Sequence, residues 1–184
     1  MTDMRAPAAA AGTIARTPMT SALNVGDPAP DFELPDADMN MVSLDQFRDQ
    51  KTVVLYFYPK DDTPGCTMEA IDFSELEEDF SRAGAVVLGV SMDDCVSHGA
   101  FRDKHGLSVQ LLSDEDGEAC RRYGVLHDRE IDGKHKICIL RSTFVIDRKG
   151  VLRQAVYGVN PRGHAAEILD IVKGMPRCKS TATR

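Results

Sequence analysis

Between Thr52 and Tyr58 every residue is apolar, aromatic or β-branched, and the run ends at Pro59. So short a run, without polar alternation, reads as a strand covered on both faces. Pro59 has no N–H to give a ladder and stops it. Pro64 then suits the first turn of a helix, and Cys66, Glu69, Phe73, Leu76 and Phe80 recur at helical spacing. The stretch predicts a buried strand, a short loop and a helix whose first turn directs one cysteine inward.

That placement has chemical consequences. In the first turn of a helix the unpaired backbone N–H groups and the positive end of the dipole favour a thiolate over a thiol. Cys66 is therefore a candidate reactive cysteine. Glu69 lies on the same face, and a buried carboxylate there needs a partner such as an arginine from elsewhere in the chain. Thr63, three residues before Cys66, can bring its hydroxyl to the sulfur or to a ligand oxygen, and Pro59 can shield the pocket from water. The same residues also permit a plainer reading, in which Cys66 is a small core residue and Glu69 a half-exposed first-turn acid.

Taken together, Pro59, Thr63 and Cys66 spell Pro-x-x-x-Thr-x-x-Cys. At this point the chain resembles the peroxiredoxins, and Tyr58-Pro-Lys-Asp-Asp-Thr-Pro-Gly-Cys-Thr67 is similar to their Q, or bacterioferritin comigratory protein, branch. The resemblance runs from about Val25 to Gly174. It implies an α/β, thioredoxin-like fold: a central mixed sheet flanked by helices, with an N-terminal β-hairpin extension. It also implies a thiol-dependent peroxidase that reduces hydrogen peroxide and organic hydroperoxides through a Cys66 sulfenic acid, in antioxidant defence. Arg141, just before Ser142-Thr-Phe-Val-Ile-Asp147, falls where the family carries its catalytic arginine, and Glu69 would orient it. No metal, haem or flavin is required. The reductant would be thioredoxin, glutaredoxin or a low-molecular-weight thiol, and the branch favours a monomer, with a dimer as the alternative.

Relatives of this branch place a resolving cysteine five residues after the first, or on the next long helix after a phenylalanine. Here those positions are Ile71 and Arg102. Cys95, seven residues before Arg102 and so near the same helical face, is the candidate replacement. It reads equally as a helix-start cysteine without a redox role. Cys138 is the second candidate, Cys120 reads as core, and Cys178 lies in the C-terminal tail. His98, His105, His127 and His135 show no metal-ligand pattern and read as solvated.

The 184 residues suit one domain. A division into an extension at 1–23, a domain at 24–175 and a tail at 176–184 follows from the Ala-, Thr- and Pro-rich start, which reads as disordered, and the basic, flexible end. The formal net charge is −7, with +1 on residues 1–23 and +3 on 176–184, which leaves −11 on the body. Such a balance speaks against nucleic acid and anionic membranes as partners. Five cysteines without a Cys-x-x-Cys do not form a secreted framework, and the cytoplasm is the expected compartment.

Along the chain, Phe32–Leu34 and Met41–Ser43 predict a short strand pair, and Ser43–Phe47 a small helix. Ala85–Val90 predicts a second buried strand. Asp93-Asp94 caps a helix to His105, closed by Gly106. Leu111-Leu112 predicts a strand, Glu115–Arg122 a helix, and Leu126–Lys136 an exposed loop beside the pocket. Thr143–Ile146 and Val151–Tyr157 predict a hairpin around Asp147–Gly150, and Arg162–Lys173 a last amphipathic helix. Two rival functions use the same residues. One is a thiol–disulfide oxidoreductase, which normally needs Cys-x-x-Cys. The other is a peroxide sensor or redox-switched binding protein, in which oxidised Cys66 alters a surface around Met68 and Ile71.

Overall fold

A computed structural model describes residues 21–176. The proposed extension and tail themselves lie almost wholly outside the described residues, as does Cys178. Leu23 already belongs to the packed body: its N–H donates to Tyr157 Oη at 2.9 Å, and its side chain rests on the core.

Strand β1 (Glu33–Pro35) pairs antiparallel with β2 (Met41–Ser43), and a short 3-10 turn follows at Leu44–Phe47. The expected central strand is β3 (Thr52–Phe57), buried along its whole length. Val54 and Tyr56 face one core and Val53, Leu55 and Phe57 the other, as the twofold period of a strand requires. Strands β4 (Ala85–Ser91) and β5 (Gln110–Ser113) continue parallel on one side, whereas β8 (Ser142–Ile146) and β9 (Leu152–Tyr157) run antiparallel on the other. The strand order is β5-β4-β3-β8-β9. An isolated bridge from Asp36 to Leu112 ties the N-terminal hairpin to the β5 side.

Helix α1 (Pro64–Glu75) begins at Pro64, after an extended Thr63. The reading of one helix through Phe80 is corrected at Leu76, whose ψ of 0 breaks it, and α2 (Glu77–Arg82) resumes on the same face. Leu76 still accepts from Phe80 N–H, so the apolar stripe survives the break. Helix α3 (Cys95–His105) is capped as expected. Asp94 accepts from Ser97 N–H at 2.7 Å, and Gly106 closes the helix at φ 62. Helix α5 (His164–Gly174) returns to the α1 side with Ala165, Ile168, Leu169 and Val172 buried. The opposite core is covered by the N-terminal hairpin, the 3-10 turn and α4 (Glu118–Arg122). Helix α4 starts later than the sequence suggests, because the Asp114 carboxylate accepts from Ala119 and Cys120 N–H and sets its first turn there.

The expected loop over Leu126–Lys136 is a hairpin instead, formed by β6 (Leu126–Ile131) and β7 (Lys134–Ile139). Its turn is Asp132-Gly133, both with positive φ, which is the two-residue geometry that suits the strand twist. The Asp-Gly pair was the available signal. Charged residues at Asp128, Arg129 and Glu130 obscured it, since neither face of this ribbon is buried near its tip.

Candidate active site

Antiparallel pairing sets Phe57, the last residue of β3, opposite Ser142, the first of β8. The chain leaving β3 toward α1 thus passes the chain entering β8, and residues 75 apart in sequence meet. Cys66, the third residue of α1, is 1% exposed. Arg141 Nη2 donates toward its sulfur at 3.3 Å, while Nη1 donates to Glu69 Oε2. The backbone of Arg141 is fixed as well, its carbonyl accepting from Val159 N–H at 2.9 Å. Cys66, Glu69 and Arg141 therefore form one cluster.

Glu69 is fully buried, and its Oε1 finds no hydrogen-bond partner among the described residues. Burial outweighs the attraction of Arg141 and pushes its carboxyl up to about 7. For Arg141 the balance runs the other way. Burial opposes its charge, but Glu69 and Cys66 more than compensate and hold the guanidinium above its ordinary range. Tyr56 lies below the cluster, stacked on Phe73 at 4.7 Å between ring centres. Burial first, then the charges of Glu69 and Cys66, raise its hydroxyl far above the usual phenol value.

Thr63 and Pro59 both lie on the segment between β3 and α1. The Thr63 hydroxyl donates to the Lys60 carbonyl at 3.0 Å, so its proton is committed and its lone pairs remain to accept a hydrogen bond. Pro59 is exposed, just past the end of β3 where the chain turns toward α1. Pro161, which the sequence did not single out, packs against the first turn of α1. A β-carbon on Gly65 would stand 3.2 Å from Arg141 Nη2 and 3.5 Å from Pro161 Cγ, so glycine leaves room for the guanidinium to cross the first turn.

The other described cysteines are free thiols. Cys95 opens α3 and is buried. On its side of that helix, Arg102 binds Asp38 at 2.9 Å and Gly99 looks toward the Ala37 carbonyl, so this face meets the β1–β2 turn. Cys138 is half-buried on β7, inside the hairpin. Cys120 sits in the core across the sheet from Cys66, and burial pushes its thiol far up. The reading of solvated histidines is corrected for His98, which is fully buried and hydrogen-bonded. His164 is buried too, with Nε2 2.8 Å from Thr143 Oγ1, and burial lowers its pKa. Among the described residues no group of three or more His, Cys, Asp or Glu side chains is placed to hold a metal ion.

A mixed sheet with a cysteine held at a helix start by an arginine–glutamate pair defines a thiol-centred protein of thioredoxin-like architecture. The chain belongs to the AhpC/TSA family, which it matches over residues 25–155, and within it to the peroxiredoxins of the Bcp/Q branch. It is 46% identical to the bcp protein of Coxiella burnetii, over 80% of this chain and 97% of that one. Peroxiredoxin Bcp of Bacillus subtilis is 40% identical, with 83% and 97% covered. The solved bacterioferritin comigratory protein of Xanthomonas campestris, a protein with alkyl peroxide reduction activity, superposes with a TM-score of 0.73 at 38% identity, covering 77% of this chain and 90% of that one. Peroxiredoxin Q of Xylella fastidiosa superposes with a TM-score of 0.78 at 34% identity, covering 83% and 97%.

Proposed function

We propose that Cys66 is the thiol that reduces peroxide, with Arg141 and Thr63 as its substrate-binding partners and Glu69 as the residue that orients Arg141. As a peroxiredoxin the chain is a thiol-dependent peroxidase acting on peroxides. The observation that carries the assignment of roles is the shared guanidinium, 3.3 Å from the Cys66 sulfur and anchored on Glu69. In the reaction the Cys66 thiolate attacks the terminal oxygen of a hydroperoxide. An S–O bond forms, the O–O bond breaks, and the departing oxygen takes a proton to leave as water or an alcohol. Cys66 becomes sulfenic acid.

Thiolate supply alone does not account for fast chemistry. An ordinary thiol, with a pKa of ~8.5, is already a few per cent ionised at pH 7, so ionisation can contribute only roughly thirtyfold. The remainder must come from groups that align the O–O bond and stabilise charge on the leaving oxygen. Arg141 and the Cys66 N–H supply donors. Thr63, whose proton is given to Lys60, accepts the hydroperoxide O–H instead of donating to it.

Organic hydroperoxides join hydrogen peroxide as substrates, in keeping with the alkyl peroxide activity of the Xanthomonas relative. Thioredoxin, glutaredoxin or a small thiol regenerates the enzyme, a monomer in the cytoplasm. Cys95 resolves the sulfenic acid, with Cys138 as second choice; Cys120 is separated from Cys66 by the sheet itself. A Cys66–Cys95 bond needs the sulfurs to close to about 2 Å, so the first turns of α1 or α3 must open.

Peroxide consumption by Cys66→Ser, followed with a thiol reductant, tests the assignment, and mass spectrometry after one equivalent of peroxide tests the resolution step. Consumption should vanish in Cys66→Ser, and a Cys66–Cys95 disulfide should form in the unaltered protein. Near-normal turnover in Cys66→Ser sinks the assignment. Wild-type consumption that stops after one equivalent, with thiol present, makes the protein a sensor. Lasting sulfenic acid, or a bond to Cys138, removes Cys95 from the cycle.

A further inference from the structure

Behind the segment that joins β3 to α1 lies a buried hydrogen-bond cluster centred on His98. Its Nδ1 is 2.7 Å from Asp61 Oδ2 and its Nε2 3.0 Å from the Leu112 carbonyl. Tyr58 Oη donates to the other Asp61 oxygen at 2.6 Å, and Asp61 N–H donates to Asp93 Oδ2 at 2.8 Å. A carbonyl can only accept, so Nε2 carries a hydrogen, and one further proton lies between Nδ1 and Oδ2. Each of these polar groups has a partner, and buried groups that lose one are costly, so the cluster favours a single arrangement.

What the cluster holds is a strained turn. Asp62, the next residue, has φ 58, in the left-handed region that non-glycine residues seldom occupy. Its own carboxylate binds Lys104 Nζ at 2.6 Å and His105 Nε2 at 2.8 Å. His98, Lys104 and His105 all belong to α3, so that helix grips two successive residues of the turn. Thr63 comes immediately after, and Cys66 three residues later.

We propose that His98 is a positioning residue for peroxide reduction, acting through Asp61 to fix the turn at 59–63 and with it Thr63, three residues before Cys66. This rests on the peroxidase reading above. It assigns to a histidine outside the Cys66 cluster a part in the rate of Cys66 oxidation, without contact with the substrate.

The amide of asparagine falls near Nδ1 of histidine and that of glutamine near Nε2, so the two substitutions separate the contacts. His98→Asn keeps a donor for Asp61, whereas His98→Gln keeps only the one for Leu112. Three quantities are read in each: the rate constant for Cys66 oxidation by peroxide, the rate of Cys66 alkylation by iodoacetamide, and the melting temperature. Alkylation needs a reactive thiol but no aligned O–O bond. His98→Gln should slow oxidation about tenfold or more with alkylation little changed, and His98→Asn should recover most of the loss. Oxidation of His98→Gln at the wild-type rate overturns the proposal, as do equal losses of both reactions in both variants that follow the melting temperature. If the His98 variants do not fold, Tyr58→Phe removes a milder contact to Asp61. Slower oxidation with normal alkylation then supports the proposal, and an unchanged oxidation rate overturns it. A wild-type protein that consumes no peroxide overturns the peroxidase reading and this inference together, whereas wild-type turnover with an indifferent His98→Gln overturns this inference alone.

Discussion

At Arg141 a single guanidinium is divided between the sulfur it assists and the carboxylate that aims it. Arg141→Ala removes a charged donor from the reacting centre, and the rate of Cys66 oxidation should fall by about 10²–10³, as for loss of one oxyanion-type donor. A loss confined to reduction by the thiol would place Arg141 elsewhere in the cycle. Glu69 is measured differently, through stability. Its carboxyl in the folded protein titrates at about 7, above its ordinary 4.5, so the native state keeps a proton that the unfolded chain has released. Native protein therefore binds more protons between those values, and this contribution to stability is full below pH 4.5 and is lost as pH rises through 7. In Glu69→Gln the slope should disappear. The stability difference, wild type minus variant, should shrink by about 3 kcal/mol from acid to mildly alkaline pH, measured by urea unfolding across the window. Parallel curves for the two proteins would show that Glu69 does not titrate there.

Among the elements, β3 and β4 are held at an unusually close side-chain contact. Gly89 pairs with Tyr56 across the parallel ladder, and a β-carbon there would stand 2.7 Å from both Cζ and Oη of that tyrosine. The ring has no room to retreat, since it is fully buried and stacked on Phe73. Gly89→Ala, which would ordinarily help a strand, should instead destabilise by about 1–3 kcal/mol through overpacking. Chemical denaturation measures this, and an unchanged midpoint would mean that Tyr56 is free to shift. Because Tyr56 lies under Cys66 and Glu69, the same substitution should also slow Cys66 oxidation.

Over the whole molecule, the site depends on the sheet and on the helices that follow β3 and β4, while β6–β7 forms a separate two-stranded sheet. Its outer residues are exposed, Ile131 at 45% and Ile137 at 54% among them. Asp128 and Ile137 are directly opposite. Replacing residues 129–136 by a two-residue Asn-Gly turn should leave the melting temperature and the peroxide rate within about twofold of wild type, because few buried contacts are lost. A collapse of activity would tie the hairpin to the site.

Much of this arrangement is local and was legible as such. The unbroken apolar run of β3, Pro64 at a helix start, the Asp94 cap and the Gly106 stop depend on neighbours in sequence, and so do the inward face shared by Cys66 and Glu69. Other features depend on groups far apart in the chain. Charged residues hid the β6–β7 hairpin because, without a buried face, its strands show no apolar period. His98 reads as a polar helix residue until Asp61 and the Leu112 carbonyl, from two other segments, meet its ring. Composition and spacing alone specify that a thiol sits at a helix start and that its carboxylate neighbour needs a cation. That this cation is Arg141 was implied by resemblance alone, and its contacts with Glu69 and Cys66, like the packing of Pro161 on the first turn, exist only in the tertiary structure, because antiparallel pairing of β3 with β8 is what brings the start of β8 to the start of α1.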